Sequence, residues 1–172
     1  MAEVAKNSND KAYKKYGNDF TSLTTTLKIM LWISLGVSVI SMLSNLNQMN
    51  LLSGSFSQAE AEANDAQQQI IGVLYLVIVI VSGITFLSWT YCANANCHSF
   101  GALGMEFTPG WSIGWYFIPI ATLWKPYQAM KEIWKASKNP SNWQKETSSP
   151  LLGWWWALWL TSALLPHVFR IS

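Results

Sequence analysis

The groups in this sequence that could carry chemistry are few. Cys92, Cys97 and His98 form a C-x4-C-H pattern, and Glu106 follows shortly after. Thiolate and imidazole are zinc ligands, but a structural zinc site closes with four of them. The other histidine is His167, and no spacing of acidic residues supplies the missing ligands. The cysteines therefore read as small apolar thiols, kept reduced in a cytoplasmic setting. Ser34, Ser38, Ser41 and Asn45 recur at spacings of four, three and four, and Ser82, Gly83, Thr85 and Ser88 sit in a later apolar stretch. Such a stripe either lets membrane helices approach and hydrogen-bond or lines a path for a solute. Neither stretch contains a charge, so helix packing is the preferred reading. Catalytic templates are absent: there is no H-E-x-x-H, no G-x-S-x-G, no P-loop and no acidic pair within an apolar stretch. Glu106 reads as a solvated loop residue. The expectation is a protein that is not an enzyme and has no cofactor or metal.

The elements that hold these residues are apolar. Of 172 residues, 51% are hydrophobic and 12% are charged, against about 25% charged in a typical soluble domain. The net charge of +2 is too small to argue for nucleic acid. Uncharged stretches run over 29–46 and 70–91, and over 151–169 apart from His167. As helix, 70–91 would reach about 33 Å, enough for a hydrocarbon core of about 30 Å. The first stretch follows a polar segment and ends in Ser-Asn-Leu-Asn-Gln rather than a small-residue cleavage site, so it reads as an uncleaved anchor. Residues 1–26 are polar and lysine-bearing, which predicts a mobile tail.

Lysines set the orientation. Segment 1–28 holds five, the 47–69 connection holds none but has Glu60, Glu62 and Asp65, and segment 92–150 holds five. This is a positive-inside pattern. It places the N-terminus in the cytoplasm, 47–69 outside, and 92–150 inside. With three spans, the C-terminal end falls outside.

Residues 107–124, FTPGWSIGWYFIPIATLW, carry no charge but are interrupted by Pro109, Gly110 and Pro119, with Pro126 just beyond. Proline removes a backbone donor and breaks a helix. The segment therefore reads as re-entrant or interfacial rather than as a kinked span, with Trp111, Trp115 and Trp124 suited to the headgroup boundary. In 126–138, Tyr127, Met130, Ile133 and Trp134 recur at helical spacing, and Lys131, Lys135 and Lys138 lie on another face with Glu132 alongside. That composition fits a helix lying on anionic headgroups. It also fits a helix packed on its own protein. Trp154, Trp155, Trp156 and Trp159 read as an aromatic belt, because consecutive tryptophans point around a helix rather than into one pocket.

Trp89-Thr90-Tyr91, Asn96, Phe100-Gly101-Ala102-Leu103-Gly104, the 107–137 block and LLGWWWALWL resemble the bacterial membrane family labelled domain of unknown function 4328, over about residues 25–162. The resemblance implies a small multi-pass inner-membrane protein with no established activity and one more helix beyond the tryptophan run. In that family an arginine commonly follows the tyrosine matching Tyr91, and another basic residue follows the asparagine. Here Cys92 and His98 stand in those places, so a role for that arginine does not carry over.

The expected fold is an all-α integral membrane protein, a multi-pass helical bundle. Its spans lie at about 27–47, 70–91 and 151–169, with a re-entrant or interfacial segment at 107–124 and an amphipathic helix at 126–138. The expected function is a non-catalytic scaffold, or a component that binds lipid or a protein partner through Trp111, Trp115, Trp124, Tyr127, Lys131, Trp134 and Lys135. A transporter or channel component is the alternative. Topology is directly testable with Cys92 and Cys97 replaced by Ala. In intact cells Ser57→Cys should react with an impermeant maleimide, and Ser137→Cys should react only after the membrane is opened. Labelling of both would mean that 107–124 crosses.

Overall fold

The computed structural model describes the backbone of residues 2–52 and 57–168, and the side chains of 20–49 and 57–163. Every regular element among the described residues is helical: α1 (Ala2–Leu52), α2 (Gln58–Ser99), α3 (Pro109–Gly114), α4 (Lys125–Lys138) and α5 (Pro150–Val168), with 3₁₀ turns at Trp115–Phe117, Ala121–Leu123 and Pro140–Lys145. The chain divides into two compact units, Thr21–Leu87 on one side and Met1–Phe20 with Ser88–Ser172 on the other.

The Thr21–Leu87 unit is a pair of antiparallel helices. Ser34 Oγ lies 3.2 Å from Ser82 Oγ, while Ser44 Oγ accepts from Gln67 Nε2 at 3.3 Å and Gln68 Nε2 at 3.1 Å. Position 34 thus meets 82 and position 44 meets 67–68, which fixes both direction and register. Of the serine stripe, Ser34 bonds across to the second helix. Ser34 and Ser38 also bond back to the carbonyls of Met30 and Ser34, so their hydroxyls stay satisfied without water. The apolar side chains of these helices face outward on all sides. Phe20–Met49 and Gln58–Ser99 are long and apolar enough to cross a membrane, and only 6% and 0% of their most apolar windows are buried.

Several boundaries differ from the sequence expectation. The predicted mobile tail 1–26 is helical from Ala2 onward. The 47–69 connection is mostly helix, because Ser57 and Glu60 form a capping box that starts α2 early. Ser57 N and Oγ both donate to Glu60 Oε2, at 2.8 and 2.9 Å. The second apolar helix does not stop at 91 but continues to Ser99. α5 begins at Pro150, and Ser149 Oγ accepts from Leu151 N at 3.3 Å. The last part of the expected 151–169 span, with Pro166, His167 and Phe169, lies outside the residues whose side chains are described.

α2 ends in a Schellman turn. Ala102 N donates to Cys97 O and Gly101 N to His98 O, both at 3.1 Å, with Gly101 at φ +87°. The turn drops Ala102 into the core beside Cys97, with Ala93, Ile133 and Ala136. Ala93 and Cys97 on α2 share this core with Ile133 and Ala136 on α4, and their small side chains let Cys97 Sγ come within 3.7 Å of the Ile133 carbonyl. Phe20, Trp89, Met105 and Trp143 pack around them. Gly101→Ala should destabilise this unit by about 1 kcal/mol, because a Cβ strains the left-handed conformation. Denaturant unfolding in detergent would register it as a lower midpoint with unchanged slope.

Candidate functional site

The site is built around the backbone of two residues, Glu106 and Phe107. Glu132 on α4 is 6% exposed, and its carboxylate accepts from two successive backbone amides, Glu106 N at 2.6 Å and Phe107 N at 3.1 Å. From the other side, Asn94 Nδ2 donates to the Phe107 carbonyl at 3.1 Å, and His98 Nε2 lies 3.2 Å from the same oxygen. Thr90, Asn94 and His98 sit at i, i+4 and i+8 on α2, so one helix face aims at the loop. Asn94 is wholly buried and the Phe107 ring is in the core. The loop between α2 and α3 is therefore tied to α2 on one side and to α4 on the other.

The next helix starts where this clamp ends. Thr108 Oγ1 accepts from Trp111 N at 3.4 Å, and Pro109 occupies the first turn. α3 is six residues long, and Pro119 separates the following 3₁₀ turns. No continuous helix runs through 107–124. Its interruptions are those expected from the prolines.

The charges around the site are tied down. Lys125 Nζ lies 2.9 Å from Glu106 Oε1, and 5.3 and 5.7 Å from the centres of the Phe107 and Trp115 rings. Burial pushes the Glu132 carboxyl above its ordinary value. The amides of Glu106 and Phe107 pull it back, the Glu106 charge raises it, and His98 lowers it. Cys97 is buried with Sγ 3.7 Å from the Ile133 carbonyl. Cys92 and Cys97 are five residues apart on one helix, about 140° around its axis, so they do not converge on a common ligand.

The residues singled out from sequence divide between several roles. The Trp111 and Trp115 rings meet tilted at 32°, with centres 4.8 Å apart and Trp111 exposed. Trp124 is exposed. Tyr127 stacks on Trp156 at 6.3 Å, and Trp156 on Trp159 at 4.6 Å. Trp134 is covered by Lys138, whose Nζ is 5.3 Å from the ring centre, while Lys131 and Lys135 are half-buried. α4 is amphipathic as expected, but Met130 and Ile133 are buried inside the protein along with Ala129 and Ala136. Packing on the protein's own core takes up that face.

Glu132, Asn94 and Trp156 escaped the sequence reading. Glu132 lies among lysines and resembled part of a solvated face. The Thr90/Asn94/His98 stripe was the visible signal for Asn94. Trp156 looked like one belt tryptophan among several, yet its Nε1 donates to the Leu123 carbonyl at 3.0 Å and the residue is buried.

The family model described as domain of unknown function (DUF4328) matches residues 53–172, which takes in α2 to α5 and every residue of the clamp. The chain belongs to that family. No curated protein and no solved structure matches it. The family match begins after α1 rather than at about residue 25, so in this DUF4328 member the site belongs to the matched part and the first apolar helix does not.

Glu132→Ala leaves two amides without their acceptor and should cost about 3 kcal/mol. The pH dependence has a definite sign. The folded-state carboxyl titrates above its ordinary value of 4.5, so from there upward the folded chain holds more protons than the unfolded one and loses stability as pH rises. Unfolding measured from mildly acidic to neutral pH should show that slope in the native protein, and its removal in Glu132→Gln.

Proposed function

We propose that this chain is a multi-pass protein of the inner membrane, with its N-terminus in the cytoplasm. In this reading it is a non-catalytic component that binds lipid or a protein partner through the 107–137 block. One observation carries the reading. Trp111, Phe117, Ile120 and Trp124 are exposed on a segment anchored at its start by Glu132, Asn94 and His98. Large apolar side chains held outward by a fixed backbone make a preorganised contact surface. The nearby titratable groups are engaged structurally. Glu132 holds two amides, Glu106 pairs with Lys125, His98 meets a carbonyl, and Cys97 faces another. The lysine distribution supports the orientation, and Lys131, Lys135 and Lys138 suit anionic headgroups on the inner face.

A transport or channel role is the second reading. It rests on an open groove of about 340 Å³ lined by Ser38, Ser41, Met42, Asn45, Leu46 and Tyr75. Ser34 is already engaged with Ser82, which favours packing. Cysteines at Ser38 and Ser41 that react with water-soluble reagents would favour the path.

Deleting α4 would remove core residues, so the test uses side chains outside the core, the exposed Trp111 and Trp124 and the half-buried Lys131 and Lys135. Trp111→Ala with Trp124→Ala, and separately Lys131→Gln with Lys135→Gln, should leave unfolding nearly unchanged. At least one pair should lower co-purifying lipid or protein several-fold, read by mass spectrometry. Unchanged lipid and unchanged partners in both pairs would sink the proposal.

A further inference from the structure

The turn between Trp115 and Lys125 has two properties that are seldom combined. Most of its side chains are apolar and exposed: Phe117 is 73% and Ile120 72% exposed, and Ile118, Leu123 and Trp124 are exposed as well, while Tyr116, Ala121 and Thr122 are half-buried. Its backbone is nevertheless largely satisfied from within. The Ile118 carbonyl accepts from Thr122 N at 2.8 Å, Ile120 from Leu123 N and Ala121 from Trp124 N at 3.2 Å each, and Trp124 from Gln128 N at 3.1 Å. At Leu123 the acceptor is met by an indole from another helix, Trp156 Nε1 at 3.0 Å. A loop that faces water gains little from such pairing, since water supplies the missing bonds. In hydrocarbon each unpaired carbonyl is costly, and irregular backbone survives only where its polar groups are met by protein.

We infer that residues 117–124 form a leaflet anchor, an apolar turn that enters the acyl region of one leaflet and returns without crossing. This rests on reading the 107–137 block as a binding surface, and it names the occupant as lipid chains. The same chain holds helices long and apolar enough to span, so a bilayer is the apolar phase at hand. Charge agrees with the placement. No Asp, Glu, Lys, Arg or His occurs from 107 to 124, and Lys125 follows at once, half-buried against Glu106 and two aromatic rings. That is the level at which the chain meets headgroups, with Trp111 and Trp124 at the boundary.

The experiment uses full-length protein with Cys92→Ala and Cys97→Ala, reconstituted in vesicles of phosphatidylethanolamine and phosphatidylglycerol. Nitroxides are attached singly at Phe117→Cys, Ile120→Cys, Trp111→Cys and Gln144→Cys. The first two positions are bare, so these variants fold. Labels at 117 and 120 should collide readily with oxygen. Their collision with a water-soluble nickel chelate should be several-fold less frequent than at 144, with 111 intermediate. Nickel access at 117 and 120 equal to that at 144 puts the turn in water and overturns the inference. Exclusion of both reagents means that protein, here a second copy, covers the turn, and overturns it too. Depth that increases steadily from 111 through 120 and emerges on the far face would make the segment a span, which is equally fatal. If the labels report water while the exposed-side substitutions still strip lipid or partner, the leaflet anchor falls and the binding surface stands.

Discussion

The region that follows the second apolar helix depends on a buried carboxylate. Glu132 accepts two consecutive backbone amides and so decides where the chain goes after α2. A carboxylate suits this task because both oxygens accept at once and its charge strengthens each bond. Its burial is unfavourable for the charge, and the two amides and the nearby His98 offset that only in part. The arrangement is specific as a result: the loop fits in the one place where the carboxylate is fully used.

The clamp gives the proline-rich segment its character. Prolines break the helix after α3 and free backbone groups. In this chain the carbonyls of Trp115, Ile118, Ile120, Ala121 and Trp124 are met by nearby amides, and that of Leu123 by Trp156. Tryptophans that look alike in sequence therefore do different work. Trp156 is buried between Tyr127 and Trp159 and caps a carbonyl, whereas Trp111 and Trp124 present their rings outward. An indole combines a large apolar surface with a single donor, so its role depends on whether an acceptor lies within reach.

α2 shows how one helix can serve two purposes along its length. After polar first turns at 58–69, its middle turns at 70–87 are rich in Val, Ile and Leu, many of them exposed. Past Trp89 the composition changes to small and polar residues, and the face bearing Thr90, Asn94 and His98 turns to the Phe107 loop. Small residues on the same stretch, Ala93 and Cys97, let α4 approach closely enough for Glu132 to reach that loop.

The apolar helices, the breaks at Pro109 and Pro119, and the amphipathic pattern of 126–138 were all legible in the sequence. They are local: an uncharged run, a missing amide donor and a helical period act on their own neighbourhood whatever surrounds them. Family membership was legible too, in the proline–tryptophan block. What only the tertiary structure decided was which partner each side chain found. Ile133 is as compatible with lipid as with Ala93 and Cys97, and the close approach of α2 settles the choice. Glu132 sits in a lysine-rich window and carries no mark of burial. It is drawn inside because two amides 25 and 26 residues earlier in the chain need an acceptor. Sequence spacing determines what a segment can do by itself, whereas a buried charge is placed by groups far along the chain, which spacing does not encode.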